Sequence, residues 1–239
     1  DSTNHCLCTT IRRGRQSIAP FDIDHDGDVD YLLGNWGTNS KFKASSTHPL
    51  KMYFADFDGN GQTETVTAIE KDGHYYTLEG LDGLADQMIF LRKKFNNYKS
   101  FAGKKLEEIF DRKLLDGATL LTVSELRSGY LKNEQGQFMF VPFAAPMQVS
   151  PIMAFTVHDF DGDGQDEILA GGNYFGVKPY QGRFDSFPGA LIESENDVIL
   201  GSQIGLDFTQ KSVRHLTILE RGNKKFLLVT YNNDRAEVY

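Results

Sequence analysis

The run Asp159-Phe160-Asp161-Gly162-Asp163-Gly164-Gln165-Asp166-Glu167 decides how the chain is read. Carboxylates stand at its first, third, fifth and ninth positions, and a glycine stands at the sixth. Alternate side chains turn toward one point, the glycine permits the sharp turn, and the seventh residue, Gln165, can add its backbone carbonyl. Such hard oxygen donors suit calcium, which takes about 6–8 oxygens at roughly 2.3–2.6 Å in a flexible geometry. The spacing recurs twice. Asp22, Asp24, Asp26 and Asp30 repeat it around Gly27, with Asp28 at the carbonyl position. Asp56, Asp58, Asn60 and Glu64 repeat it around Gly61, with Gln62 at the carbonyl position and an amide as the fifth residue. About three calcium sites are therefore expected, one per loop.

An EF-hand shares the first half of this pattern but needs a bidentate glutamate at position twelve and a helix on each side. Position twelve here is Leu33, Thr67 or Ala170, none of which ligates through its side chain. The flanks read as strands: residues 17–21, 51–55 and 153–157 before the loops, and Tyr31–Leu33, Thr65–Ile69 and Ile168–Ala170 after them. These are short apolar runs, rich in β-branched and aromatic residues and bounded by turn signals. Each unit is strand, metal loop, strand.

The 239 residues suffice for one all-β domain or two small ones with a sizeable core. The formal charge of −8 argues against a general nucleic-acid binder. The three loops hold five, three and five carboxylates, thirteen of the 33 acidic residues, so the acidity belongs largely to the candidate metal sites. Three calcium ions would bring the charge to about −2. Cys6 and Cys8, the two cysteines, make at most half a zinc site and no disulfide framework. No apolar run reaches the roughly 18 residues of a membrane span. The chain starts with Asp1 rather than Met, so a trimmed N-terminus is expected, and the lack of a signal segment says nothing of where the protein is made.

Residues 1–15 are polar, with Arg12, Arg13 and Arg15 and one strand expected near Leu7–Ile11. The first repeat covers about 16–49 and the second about 50–79, with an extra strand near His74–Leu78. Leu84, Met88, Leu91 and Phe95, then Leu106, Ile109, Phe110 and Leu114, fall at helical spacing and predict two amphipathic helices over 81–96 and 103–115. Gly129–Leu131 and Gln137–Val141 predict a hairpin. The third unit spans about 150–175. Its exit, Leu169-Ala170-Gly171-Gly172-Asn173-Tyr174, matches Leu32-Leu33-Gly34-Asn35-Trp36 with one residue inserted. A repeat that reproduces its exit as well as its loop is a structural unit. Residues 213–239 keep the strand–turn–strand plan without carboxylates, as a metal-free repeat.

This recurring motif, with its Gly-Asn-aromatic exits, resembles the FG-GAP/VCBS repeat, over about 16–79 and 150–239. The resemblance implies an all-β fold: a β-propeller of the kind that heads integrin α-subunits, or a propeller fragment. Its calcium loop then joins the first two strands of each blade within a single domain over 1–239, and the helical insertion at 80–116 is a departure from the repeat. It also looks like the C-terminal part of large bacterial VCBS-repeat surface proteins, which implies a secreted or outer-surface setting, without direct membrane insertion. External calcium is plentiful enough there to fill such sites. The implied function is recognition of a glycan or protein ligand, with the rest of a longer surface protein as a further partner. The alternatives are an enzyme of polysaccharide breakdown on a propeller scaffold and a structural spacer.

The candidate ligand-binding residues are Asn35 and Trp36 of the first repeat with Asn173, Tyr174 and Phe175 of the third, Tyr180 lying nearby. Aromatic faces beside amides suit sugar C–H surfaces and hydroxyls, while packing between blades explains the same residues. Arg92, Lys93, Lys94, Lys99, Lys104 and Lys105 form a basic cluster, read as a solvated helix face with docking of an acidic partner or an anionic polysaccharide as the sharper alternative. No Gly-x-Ser-x-Gly, His-Glu-x-x-His or phosphate-binding glycine loop occurs. His25 and His158 read as loop surface. No catalytic residue is assigned.

Overall fold

The computed structural model describes residues 16–194 and 197–239, the side chain of Tyr180 excepted. The strand expected near Leu7–Ile11, Cys6, Cys8 and the three N-terminal arginines lie outside the described residues. Five strands come first: β1 (Ser17–Phe21), β2 (Asp30–Gly34), β3 (Leu50–Ala55), β4 (Glu64–Lys71) and β5 (His74–Thr77). Five short helices follow: α1 (Leu81–Ala85), α2 (Phe90–Lys94), α3 (Tyr98–Phe101), α4 (Leu106–Ile109) and α5 (Arg112–Gly117). Then come β6 (Thr119–Val123), β7 (Gly129–Glu134), β8 (Gln137–Pro142), β9 (Ile152–His158) and β10 (Glu167–Gly172). The chain closes with β11 (Ala190–Ser194), β12 (Asp197–Leu200), β13 (Val213–Arg221), β14 (Lys224–Tyr231) and β15 (Glu237–Val238).

The protein is predominantly β. Its strands form four antiparallel sheets, ordered β1-β2-β7-β8, β5-β4-β3-β6, β12-β11-β10-β9 and β13-β14-β15, and none closes on itself among the described residues. Two compact units result. One takes Phe42–Glu125 and the other takes residues 16–41 with Leu126–Tyr239. The first sheet explains the division. Its strands β2 and β7 pair directly, Tyr31 opposite Leu131, and Phe42–Glu125, which lies between them in sequence, builds the other unit. The hairpin expected at 129–141 is present as β7–β8, and it completes the sheet begun by β1 and β2.

In the larger unit three sheets lie in series, and their leading strands β1, β9 and β13 run next to one another. Ile23, Leu32, Tyr130, Ile152, Ile168 and Phe187 belong to one core cluster; Leu169, Phe208, Val213 and Val229 belong to a second. Burying such side chains contributes roughly 1.5–3 kcal/mol each. Close approach fixes two glycines. A Cβ on Gly34 would lie 2.3 Å from the Ile152 carbonyl oxygen, and one on Gly172 would lie 2.0 Å from that of Pro151. The residue inserted in the third repeat is a β-bulge: the β9–β10 register shifts between Gly171 and Gly172.

The smaller unit packs its helices and β4 into one cluster. The two long helices expected over 81–96 and 103–115 are instead five short ones. Asn97 starts α3 by accepting the Ser100 N–H, Gly103 (φ +72°) follows its end, and Asp111 caps α5 through the Lys113 N–H. These local caps outcompete continuous helix. The apolar spacing still marks the core: Leu84, Met88, Leu91, Phe95, Leu106, Ile109 and Phe110 are buried, whereas Leu114 is exposed.

Candidate metal centres

The three acidic loops share one backbone frame. Each joins two paired strands, and the residue before position one faces position nine: Phe21 opposite Asp30, Ala55 opposite Glu64, and His158 opposite Glu167. Position nine thus opens the second strand and is buried in all three loops. Its carboxylate accepts the N–H of position two: Ile23 to Asp30 at 3.0 Å, Phe57 to Glu64 at 2.9 Å, Phe160 to Glu167 at 2.8 Å. The apolar position-two side chain packs inward, Ile23 and Phe57 fully and Phe160 partly. This plug anchors the loop, and its role was not apparent from the ligand spacing alone.

Position one organises the turn. Asp22, Asp56 and Asp159 accept the N–H of the position-six glycine at 2.9, 2.9 and 3.2 Å. The position-five side chain accepts the N–H of position seven: Asp26 from Asp28, Asn60 from Gln62, Asp163 from Gln165. Positions four and six take positive φ throughout, and at position four the first loop uses a non-glycine residue, His25 (φ +59°). These bonds aim the carboxylates inward. Ligand oxygens of Asp159, Asp161, Asp163 and Glu167 lie within 4.8 Å of one another, as do those of Asp22, Asp24 and Asp30, and those of Asp56, Asp58 and Glu64. Asp26 and Asp28 stay outside the first cluster; Asp28 instead accepts the Gln135 N–H at 3.1 Å.

Each cluster could hold a metal ion. The donors are hard oxygens throughout, and Asp24 keeps a buried carboxylate oxygen without a hydrogen-bond partner. The electrostatics vary between loops. A hydrogen bond from Lys132, 2.8 Å from Asp24, holds that carboxyl below its usual range. Burial pushes Asp30 up, against the N–H groups of Asn133 and Ile23. In the second loop, the Gly61 N–H leads several backbone donors that hold Asp56 low.

The candidate ligand-binding residues divide. Asn35 and Asn173 are fully buried. The Asn173 amide donates to the Phe187, Phe208 and Lys211 carbonyls at 2.9–3.0 Å and accepts the Phe187 N–H at 2.9 Å, so its polar capacity holds the fold together. Asn35 and Asn173 have matching serine partners: Ser128 and Ser212 each donate to the preceding asparagine's carbonyl at 3.3 Å. Trp36 is half-buried, edge-on to Tyr174 at 5.6 Å and Phe184 at 5.2 Å, and the Arg214 guanidinium lies 5.1 Å from the Tyr174 ring centre. Phe175 is exposed.

Within the helical region, Arg92 pairs with Asp82 and Lys104 with Glu108, Lys94 donates to the Ile109 carbonyl, and Lys105 meets His74. His158 packs edge-on against Phe160. No described helix is long and apolar enough to cross a membrane. Comparison with models of known families, with curated proteins and with solved structures gives no match.

Proposed function

We propose that this chain is a calcium-stabilised, β-propeller-type recognition module of FG-GAP/VCBS character, from a secreted or cell-surface protein, and that it binds a glycan or protein. The observation that carries the reading is the frame that the three loops share. Each has carboxylates at positions one, three and nine, the same three internal hydrogen bonds and a place between two consecutive, paired strands. The neighbouring leading strands β1, β9 and β13 are what blades around a common axis require, since each small sheet covers the face of the next. Calcium supplies charge neutralisation and fixes the loop conformation. The carboxylates of positions one, three and nine would hold the ion, joined by position five in the third loop.

The recognition surface is placed at the strand-end aromatics Trp36, Tyr174 and Phe175, with Arg214 beside them. The test is a glycan array probed with calcium-loaded protein and with an EDTA-treated control, followed by Trp36→Ala on any hit. Calcium-dependent binding to one sugar class, lost in the variant, supports the reading. Turnover of a polysaccharide would indicate the enzyme, and silence toward glycans and proteins alike would indicate a spacer.

A further inference from the structure

The first and third loops differ most at a residue neither of them contains. In the first sheet Tyr31 pairs with Leu131, so one step along the ladder Asp30 faces Lys132. In the third, Ile168 pairs with Ile192, and Glu193 is the next residue along β11 on the Glu167 side. Near the ninth loop residue the third strand thus carries opposite charges in the two sheets. In the smaller unit the β4–β5 ladder ends at Ala68 and Thr77, short of Glu64, so no third-strand residue takes this place.

We propose that this third-strand residue ranks the loops for metal: Lys132 takes over part of the ion's role in the first loop, Glu193 adds negative charge to the third, and calcium fills the third and second loops before the first. The inference rests on the calcium reading above and refines it.

Lys132 lies 2.8 Å from one carboxylate oxygen of Asp24, so its ammonium competes with an ion for that group, although the other oxygen stays open. The rest of the first loop is also tied to the β7–β8 hairpin. Asp30 accepts the Asn133 N–H at 2.7 Å through the oxygen that Ile23 leaves free, Asp28 accepts from Gln135, and the Asn133 amide donates to the Val29 carbonyl at 3.2 Å. Protein groups therefore already fix this loop. An arriving ion meets a positive charge and gains little order in return. Around the third loop the sign reverses. Glu193 stands one residue beyond Ile192, whose partner Ile168 directly follows the ligand Glu167. A divalent ion there relieves repulsion as well as gaining ligands.

The test is calorimetric calcium titration of the full chain, comparing the parent with Lys132→Met and the isosteric Glu193→Gln. The parent should take up two ions at least about tenfold more tightly than the third. Lys132→Met should bring the weak site to within about threefold of the others, and Glu193→Gln should weaken one tight site by about tenfold. Three equal sites in the parent, with both variants unchanged, would overturn the ranking and leave calcium binding intact. A parent that takes up no calcium would overturn the calcium reading itself. Circular dichroism of each variant separates lost folding from lost affinity, and Glu193→Gln carries the test if Lys132→Met unfolds.

Discussion

Replacing Gly172 by alanine should strike the larger unit where two of its sheets meet a buried amide. The added Cβ would stand 2.0 Å from the Pro151 carbonyl oxygen, against an ordinary C···O contact of roughly 3.4 Å, with the Phe187 ring at 3.1 Å on another side. Both obstacles are held in place: Pro151 O accepts the Asn173 N–H at 2.8 Å, and Phe187 is fully buried. Opening the gap by more than 1 Å breaks that hydrogen bond and shifts Asn173, whose amide serves three carbonyls. Overpacking costs about 1–3 kcal/mol and each lost hydrogen bond about 1 kcal/mol, so a loss of about 3–4 kcal/mol is expected. For a unit of this size that is a drop of about 10 °C in Tm. Urea unfolding in saturating calcium measures it. Gly117→Ala serves as the control, since its methyl meets nothing within 4 Å and alanine favours the helix by about 1 kcal/mol. A Gly172→Ala protein within 0.5 kcal/mol of the parent would refute the close-approach reasoning.

Asn173→Asp should cost more than Asn173→Ala in the same assay, because a carboxylate would face three carbonyl oxygens where an amide now donates; equal losses would show that the polarity of the amide is immaterial. Glu237 receives hydrogen bonds from Lys211, Tyr239 and Tyr231, in falling order of effect, which pull its carboxyl down to about 2. A folded value below the unfolded one means stabilisation that is full above pH ~4.5 and lost as pH falls toward 2. The Lys211–Glu237 pair is partly exposed, so the effect is about 1 kcal/mol or less, and Glu237→Gln should narrow the gap in urea midpoint between pH 6 and pH 3. At His25, whose φ is +59°, glycine should match or raise stability by up to about 1 kcal/mol, measured in EDTA so that ion binding does not intervene.

The metal loops were legible because ligand spacing, sharp turn and strand flanks are all local. The inserted residue in the third repeat was legible too, and became the bulge at Gly171 and Gly172. What escaped was non-local. Nothing in Tyr31–Leu33 announces that its other partner is Gly129–Leu131, so the second repeat read as the next unit in line, whereas its sheet lies in a unit inserted between β2 and β7. The asparagines looked like ligand groups because an amide's type does not reveal whether its partners are solvent or three backbone carbonyls. Helical periodicity marked which residues are buried but not where Asn97 and Asp111 restart the helix. Lys132 could have been noticed only through the β2–β7 pairing that brings it within 2.8 Å of Asp24.

Calcium dependence of thermal unfolding is the most direct test of the central claim. Melting the parent and the Asp161→Ala/Asp163→Ala double variant with millimolar calcium and with EDTA should give a parent Tm that rises in calcium by about 5 °C or more, and a clearly smaller rise in the variant. A Tm that ignores calcium in both proteins would contradict it.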